Sequence, residues 1–313
     1  MKGLPTIIIP YFKLRYLEAT LASLAAQTVG GFKVFIGDDA SPEDCLPLLE
    51  KYNDRLDIHY HRFAENLGGT SLTRHWDRCV ERTDSEWIWL FSDDDVAGPE
   101  CMGSFLQTLK ETEGKFDVYR FNVRVIDGDG KTIHNQAPNP REEKTAEFVL
   151  AKLLANRFSF AVEYVFRREA YKTAGGFVDF PVAWHSDDAS WVAFARNRTI
   201  RTMDVGEVLW RKSSLNLSSP KPEMVRAKLG AFRLYLNWLQ DYFPEPEFQA
   251  RLKSGISKLF PNQIQHWGGN PGKMYGLHFW YFFSRYTGTP NLLLLRTLMG
   301  LDGLRHRLKL SLF

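Results

Sequence analysis

Cysteine is scarce in this chain: Cys45, Cys79 and Cys101 are the only three among 313 residues, and no two stand in a CxxC spacing. An odd, unclustered set argues against a disulfide framework and a cysteine-based structural zinc, and favours a reducing, cytoplasmic setting. No apolar run approaches the ~20 residues that cross a bilayer. Met1-Lys2-Gly3-Leu4-Pro5 runs directly into a β-branched segment, so no signal peptide is expected. No internal repeat or low-complexity tract stands out. The basic residues of the C-terminal third are dispersed and no aromatic RNA-binding motif occurs, so nucleic acid is not an expected partner. Glycine is also missing from Pro10-Tyr11-Phe12-Lys13, where a glycine-rich phosphate loop would follow a first strand.

What is present is an ordinary folded composition, 44% hydrophobic and 25% charged. The net charge of +3 is unevenly divided. Residues 221–313 carry 13 Lys+Arg against 5 Asp+Glu, and residues 1–220 carry 27 against 32. Ser218-Ser219-Pro220-Lys221-Pro222 reads as a linker, giving two regions: 1–219, and a helical, basic and aromatic region over 220–313. In the latter, Trp267, Tyr275, Phe279-Trp280-Tyr281-Phe282-Phe283 and Leu292–Leu295 either form a local core or lay an apolar face into an anionic membrane surface.

Apolar runs and helical periodicity alternate along the first half. Thr6-Ile7-Ile8-Ile9 is a short strand, Leu14, Leu17, Leu21 and Leu24 mark one helical face, and Phe32–Gly37 is a second strand ending in Asp38-Asp39. A helix over 42–52 and a strand over 58–61 follow. Glu65-Asn66-Leu67-Gly68-Gly69 then opens a helix carrying Leu72, Trp76, Cys79 and Val80. This alternation predicts an α/β fold with a mostly parallel sheet flanked by helices and a C-terminal helical extension. Glu86-Trp87-Ile88-Trp89-Leu90-Phe91 reads as a strand buried on both faces, and it breaks into Ser92-Asp93-Asp94-Asp95. Three carboxylates beyond a buried strand repel one another, and a hard divalent cation offsets that repulsion. A solvated acidic turn opening a helix at Gly98-Pro99 has the same composition. A second acidic pair, Asp187-Asp188, opens a helix, where carboxylates also suit the helix dipole.

Acidic residues at these three places, taken together, resemble glycosyltransferase family 2, the inverting nucleotide-sugar glycosyltransferases of the GT-A (Rossmann-like) fold. The likeness covers about residues 5–215. It rests on Ile7–Tyr11, Ile36-Gly37-Asp38-Asp39-Ala40-Ser41, Glu65–Gly69, Ser92–Asp95 at the place of the DxD motif, Gly175-Gly176-Phe177 and Asp187-Asp188. The resemblance implies transfer of a sugar from a nucleotide-sugar donor, a UDP-sugar first, to a glycan or lipid-linked acceptor in bacterial-type cell-surface polysaccharide synthesis. It implies a nucleotide site of Pro10, Tyr11, Asp38, Asp39, Asn66, Gly68, Arg74, Asp93 and Arg211, and Mn²⁺ or Mg²⁺ held by Asp94 and Asp95. Gly175, Gly176, Phe177, Trp184 and His185 would meet the acceptor, and Asp188 or Asp187 would act as general base. The chain departs from the pattern in placing Ser92 at the first acidic position and Trp210-Arg211-Lys212 where a histidine is usual. A sugar nucleotidyltransferase is the enzymatic alternative, disfavoured by the missing glycine loop, and a non-catalytic nucleotide- or glycan-binding module is the other. The expected location is cytoplasmic, with peripheral contact at the inner membrane face.

Overall fold

The computed structural model describes residues 3–154, 157–196, 198–214, 216, 219–266, 284 and 286, without the side chains of 257–266. The residues on which the membrane expectation rests, Trp267, Tyr275, Phe279–Phe283 and Leu292–Leu295, lie outside the described residues.

The first half folds by simple alternation: β1 (Thr6–Tyr11), α1 (Leu17–Ala25), β2 (Lys33–Asp38), α2 (Leu46–Glu50), β3 (Asp57–Arg62), α3 (Leu72–Glu81) and β4 (Trp87–Leu90). These strands lie in the order β3-β2-β1-β4, all parallel. Trp87, Ile88, Trp89 and Leu90 are each at most 1% exposed, as the unbroken apolar run requires of a strand covered on both faces.

Beyond β4 the chain makes β5 (Val96–Ala97), α4 (Cys101–Glu111), β6 (Val118–Ile126), β7 (Thr132–Asn135), β8 (Glu142–Lys144), α5 (Thr145–Leu154), β9 (Tyr164–Arg167), α6 (Arg168–Ala174), α7 (Ser186–Phe194) and β10 (Thr199–Arg211). The sheet continues β4-β9-β6-β10-β5 and is mixed here. The contacts of β9 with β4 and β6, and of β5 with β10, are antiparallel, and only β6 with β10 is parallel. The expected α/β class stands, with this correction to "mostly parallel": parallel order ends at β4, and the acidic turn sits where it ends.

Strand alternation sends Ile7 and Ile9 to one face, under α1 and α4, and Ile8, Ile88 and Leu90 to the other, under α3, α5 and α7. After residue 220 come α8 (Val225–Tyr242) and α9 (Pro246–His266). Val225, Leu229, Phe232, Leu236 and Leu239 of α8, spaced by three or four, join the same apolar cluster as Ile8.

Candidate active site

The acidic ends of β2 and β4 meet beside the loop that follows β1. Asp93 accepts hydrogen bonds at one oxygen from the backbone N–H groups of Phe12 (2.9 Å) and Lys13 (2.7 Å). The Lys13 ammonium lies 3.8 Å from Asp93 Oδ1 and 3.3 Å from Asp94 Oδ2. Burial pushes the Asp93 carboxyl up to about 6 against the opposing pull of Lys13.

Asp94 is the one of the three that accepts no backbone N–H among the described residues. Among the described residues its partners besides Lys13 are Asn216 Nδ2 at 3.4 Å and Ser92 Oγ at 3.1 Å, whose single proton is shared with Asp95. Asp95 points inward instead. Ser92 Oγ donates to it, as does the backbone N–H of Arg211 (2.7 Å), and burial raises its pKa well above the ordinary range. The expected metal pair therefore reduces to Asp94, with Asp95 fastening the turn to β10.

Arg211 is likewise structural, a correction to its expected place on the donor. Its guanidinium donates to the carbonyls of Asp94 (2.8 Å), Asp127 (3.1 Å) and Gly128 (3.2 Å), and it stacks over Tyr16.

Asp38 and Asp39 are both buried and both already hydrogen-bonded. Asp38 accepts from Ser41 N–H (2.7 Å), Tyr60 OH (2.5 Å) and Arg62 (2.7 Å). Asp39 accepts from the backbone N–H groups of Leu67 (2.8 Å) and Gly68 (2.9 Å) and from Arg78. Arg78 also donates to Glu65 O (3.0 Å) and to His75 Nδ1 (2.9 Å), and covers the Phe63 ring. His75 is neutral, since burial lowers its pKa to about 4. Its Nδ1 accepts from Arg78, so its proximity to Asp39 is not an ion pair.

Asn66 caps the same loop by accepting from Gly69 N–H (2.6 Å). A Cβ at Gly68 would lie 2.6 Å from Asp39 Oδ2, so only glycine brings this N–H to that carboxylate. Gly68→Ala is expected to weaken UDP binding about tenfold by pushing the loop off Asp39, the size of effect that follows from losing one or two hydrogen bonds to a charged group. Calorimetric titration checks it; unchanged affinity would separate this loop from the nucleotide. Arg74, on the first turn of α3, is exposed and free to approach a ligand; Tyr11 is buried, its hydroxyl donating to Glu43 O (2.8 Å), which leaves Pro10 and main chain as the lining.

The second acidic pair lies at the start of α7. Asp188 is 1% exposed, paired with Lys152 of α5 and with His185 Nδ1 (2.9 Å). Burial raises its pKa, but Lys152 and His185 outweigh that and hold it below the ordinary value. Asp187 is half-buried and has no hydrogen bond or ion pair to another side chain among the described residues. Burial and the charge of Asp188 push it up to about 6.

The loop before the pair is held in an uncommon backbone: Val182, Ala183 and His185 all have φ between 53° and 64°. His185 stacks on Tyr235 of α8 at 4.6 Å, and its buried Nε2 has no hydrogen-bond partner among the described residues. Trp184 lies 4.2 Å under the Lys228 ammonium, which also reaches Ser219 O (3.3 Å). Gly175 terminates α6 in the left-handed conformation. The Phe177 ring is in the core against Trp76, so it supports the loop from beneath rather than meeting an acceptor.

Sequence reasoning missed Lys13, Arg78 and Lys152. Each cation partners a carboxylate distant in sequence, and no local motif marks it.

Residues 6–173, more than half the chain, match the profile of Glycosyl transferase family 2. The chain belongs to that family. It is 31% identical over 141 residues to hyaluronan synthase of Pasteurella multocida, covering 45% of this chain and 13% of that protein. It is 27% identical over 124 residues to the poly(ribitol-phosphate) β-N-acetylglucosaminyltransferase TarS of Staphylococcus aureus, covering 39% and 20%. The chain thus matches a fifth or less of the length of these relatives. In structure it resembles TarS residues 1–349 in complex with UDP-GlcNAc, with a TM-score of 0.67 at 16% identity over 97% of this chain and 92% of that one. It also resembles the mannosyltransferase PcManGT of Pyrobaculum calidifontis in complex with GDP-Man and Mn²⁺, with a TM-score of 0.51 at 14% identity over 100% and 77%. At these identities the likeness establishes the GT-A fold.

Proposed function

We propose that this family 2 member is an inverting glycosyltransferase that moves a sugar from a nucleotide-sugar donor, a UDP-sugar first, to a hydroxyl of a glycan or lipid-linked acceptor in cell-surface polysaccharide synthesis. The observation that carries the reading is Asp94, a buried carboxylate held only by side chains among the described residues, beside the end of β4 where parallel order in the sheet stops. Ligands of open α/β sheets bind beyond the carboxyl ends of the strands.

Among the described residues no three His, Cys, Asp or Glu side chains converge into a metal cage. Asp94 is the residue that would hold a hard divalent ion there, and Mg²⁺ and Mn²⁺ suit a site that offers few protein carboxylates. Such an ion supplies charge stabilisation to the leaving diphosphate. In the transfer, the acceptor oxygen bonds to the anomeric carbon as the bond from that carbon to the diphosphate oxygen breaks. The acceptor proton passes to a carboxylate of the Asp187–Asp188 pair, of which Asp187 is the open member. Trp184 offers an aromatic face for a sugar ring beside it. The nucleotide side is lined by Pro10, the Asn66–Gly69 loop, Arg74 and Asp93, with Asp38 and Asp39 fixing its walls.

No described helix is long and apolar enough to cross a membrane. Peripheral docking through residues 221–313 belongs to the same proposal and rests on their basic balance. A hydrolysis screen over UDP-, GDP- and dTDP-sugars with Mn²⁺ tests the function: nucleotide release from one donor class, abolished by chelation, is the expected result. Release from none would overturn the reading.

A further inference from the structure

Lys13 stands where the family resemblance assigns nothing. Among the described residues it is the one basic side chain paired with Asp93 or Asp94, at 3.8 and 3.3 Å. The nearest alternative, Arg211, spends its guanidinium on backbone carbonyls. The position of Lys13 is not accidental to a floppy side chain. Its own backbone N–H and that of Phe12 clamp Asp93, so the loop after β1 is locked in register with the acidic turn. Both carboxylates are 5% exposed, while the Lys13 side chain is 29% exposed and reachable from solvent.

Two buried like charges need compensation even when no ligand is bound. One ammonium supplies half of it, which leaves room for an added divalent ion only if the lysine gives way or an anion arrives with it. A nucleotide-sugar diphosphate brings two negative charges, and a lysine is a suitable point charge for phosphate oxygens.

We propose that Lys13 is the resident counter-cation of this site. It pairs with Asp93 and Asp94 in the ligand-free protein, competes with a divalent ion for them, and transfers to the donor diphosphate when metal and nucleotide enter together. It is a positioning and specificity residue, and its role makes metal binding conditional on the nucleotide. The proposal rests on the reading that Asp94 faces the donor.

The test measures Mn²⁺ binding by electron paramagnetic resonance, without nucleotide, and UDP binding by calorimetry, in the full chain and in Lys13→Met, Lys13→Gln and Lys13→Arg. Removing a like charge about 4 Å from the metal ligands is expected to tighten binding of Mn²⁺ alone about tenfold or more in the two neutral variants. The arginine variant should stay close to the parent. UDP affinity in the presence of a chelator should fall about tenfold in the neutral variants, through the lost phosphate contact. If lysine removal destabilises one neutral variant, the other carries the comparison, with a thermal melt as control. Mn²⁺ affinity that is equal in the parent and the neutral variants, or Mn²⁺ binding to none of them, overturns the proposal. A negative donor-hydrolysis screen alongside the expected Mn²⁺ competition would instead sink the catalytic reading and leave Lys13 its role.

Discussion

Asp94→Asn is expected to abolish the Mn²⁺-dependent part of UDP binding, lowering affinity in Mn²⁺ to the value measured with chelator. The substitution is nearly isosteric and keeps an oxygen for Ser92 Oγ, which lies 3.1 Å away, so the turn has no reason to rearrange. What it removes is the one carboxylate of the triplet not fastened to backbone, because Asp93 is held by Phe12 and Lys13 and Asp95 by Arg211. A metal's interaction with a diphosphate is worth several kcal/mol, so a loss on the order of 100-fold or more is expected. Losing one charge from three crowded buried carboxyls should leave the melting temperature unchanged or slightly raised. Calorimetric titration of UDP with and without Mn²⁺, paired with a thermal melt, checks both parts. Unaltered nucleotide affinity at an unaltered melting temperature would remove Asp94 from the metal site.

The second large effect is expected at the start of α7. Asp187→Asn and Asp188→Asn should each bind UDP as the parent does and transfer sugar about 10²–10⁴-fold more slowly, the usual cost of a lost general base or of its orientation. The two differ in stability. Asp188→Asn leaves the Lys152 ammonium, 18% exposed, with Ser159 O (3.0 Å) but without its paired carboxylate, and breaking a buried pair costs about 3–5 kcal/mol. Asp187→Asn breaks no pair and should melt like the parent.

They differ also in pH dependence. A base must be deprotonated to act, so if Asp187 accepts the proton, kcat/KM falls as the pH drops through about 6, the value to which burial and Asp188 raise it. If Asp188 accepts the proton, its depressed pKa removes any inflection near that pH. Full transfer activity in both variants would end the assignment of the base to this pair.

Much of this arrangement was legible in the residues because it is local. The run Trp87–Leu90 shows by its lack of alternation that both sheet faces are covered, and the Asn66–Gly69 turn announces a tight backbone. The direction of each carboxylate was not legible. Asp38 turns toward Tyr60 and Arg62 because β3 pairs with β2 in a register that sets Asp38 beside Arg62, a relation across the sheet that no spacing encodes. Lys152 sits on an amphipathic helix where a lysine ordinarily marks the solvent face; only the tertiary fold brings Asp188 of α7 to it. β5 is two residues long, too short for any periodicity. β10 shifts register between Thr202 and Glu207, where Gly206 takes a left-handed φ of 81°, and its alternation is broken there. The antiparallel entry of β9 beside β4, which makes the sheet mixed, comes from chain topology rather than from composition.

The seating of α8 bears on how this chain can be divided. The linker-like Ser218–Pro222 invites a cut there, yet Val225, Leu229, Phe232, Leu236 and Leu239 lie within 2% of complete burial in the cluster that contains Ile8 of the central sheet. Each such side chain contributes about 1.5–3 kcal/mol by its burial, and a whole domain is stable by only about 5–15 kcal/mol. A chain ending at residue 219 would thus lose interior, not ornament, and would expose a greasy trough alongside His185, whose ring rests on Tyr235. The composition boundary does not mark the edge of the packed apolar cluster. Any shortening or fusion has to carry α8 along with the sheet.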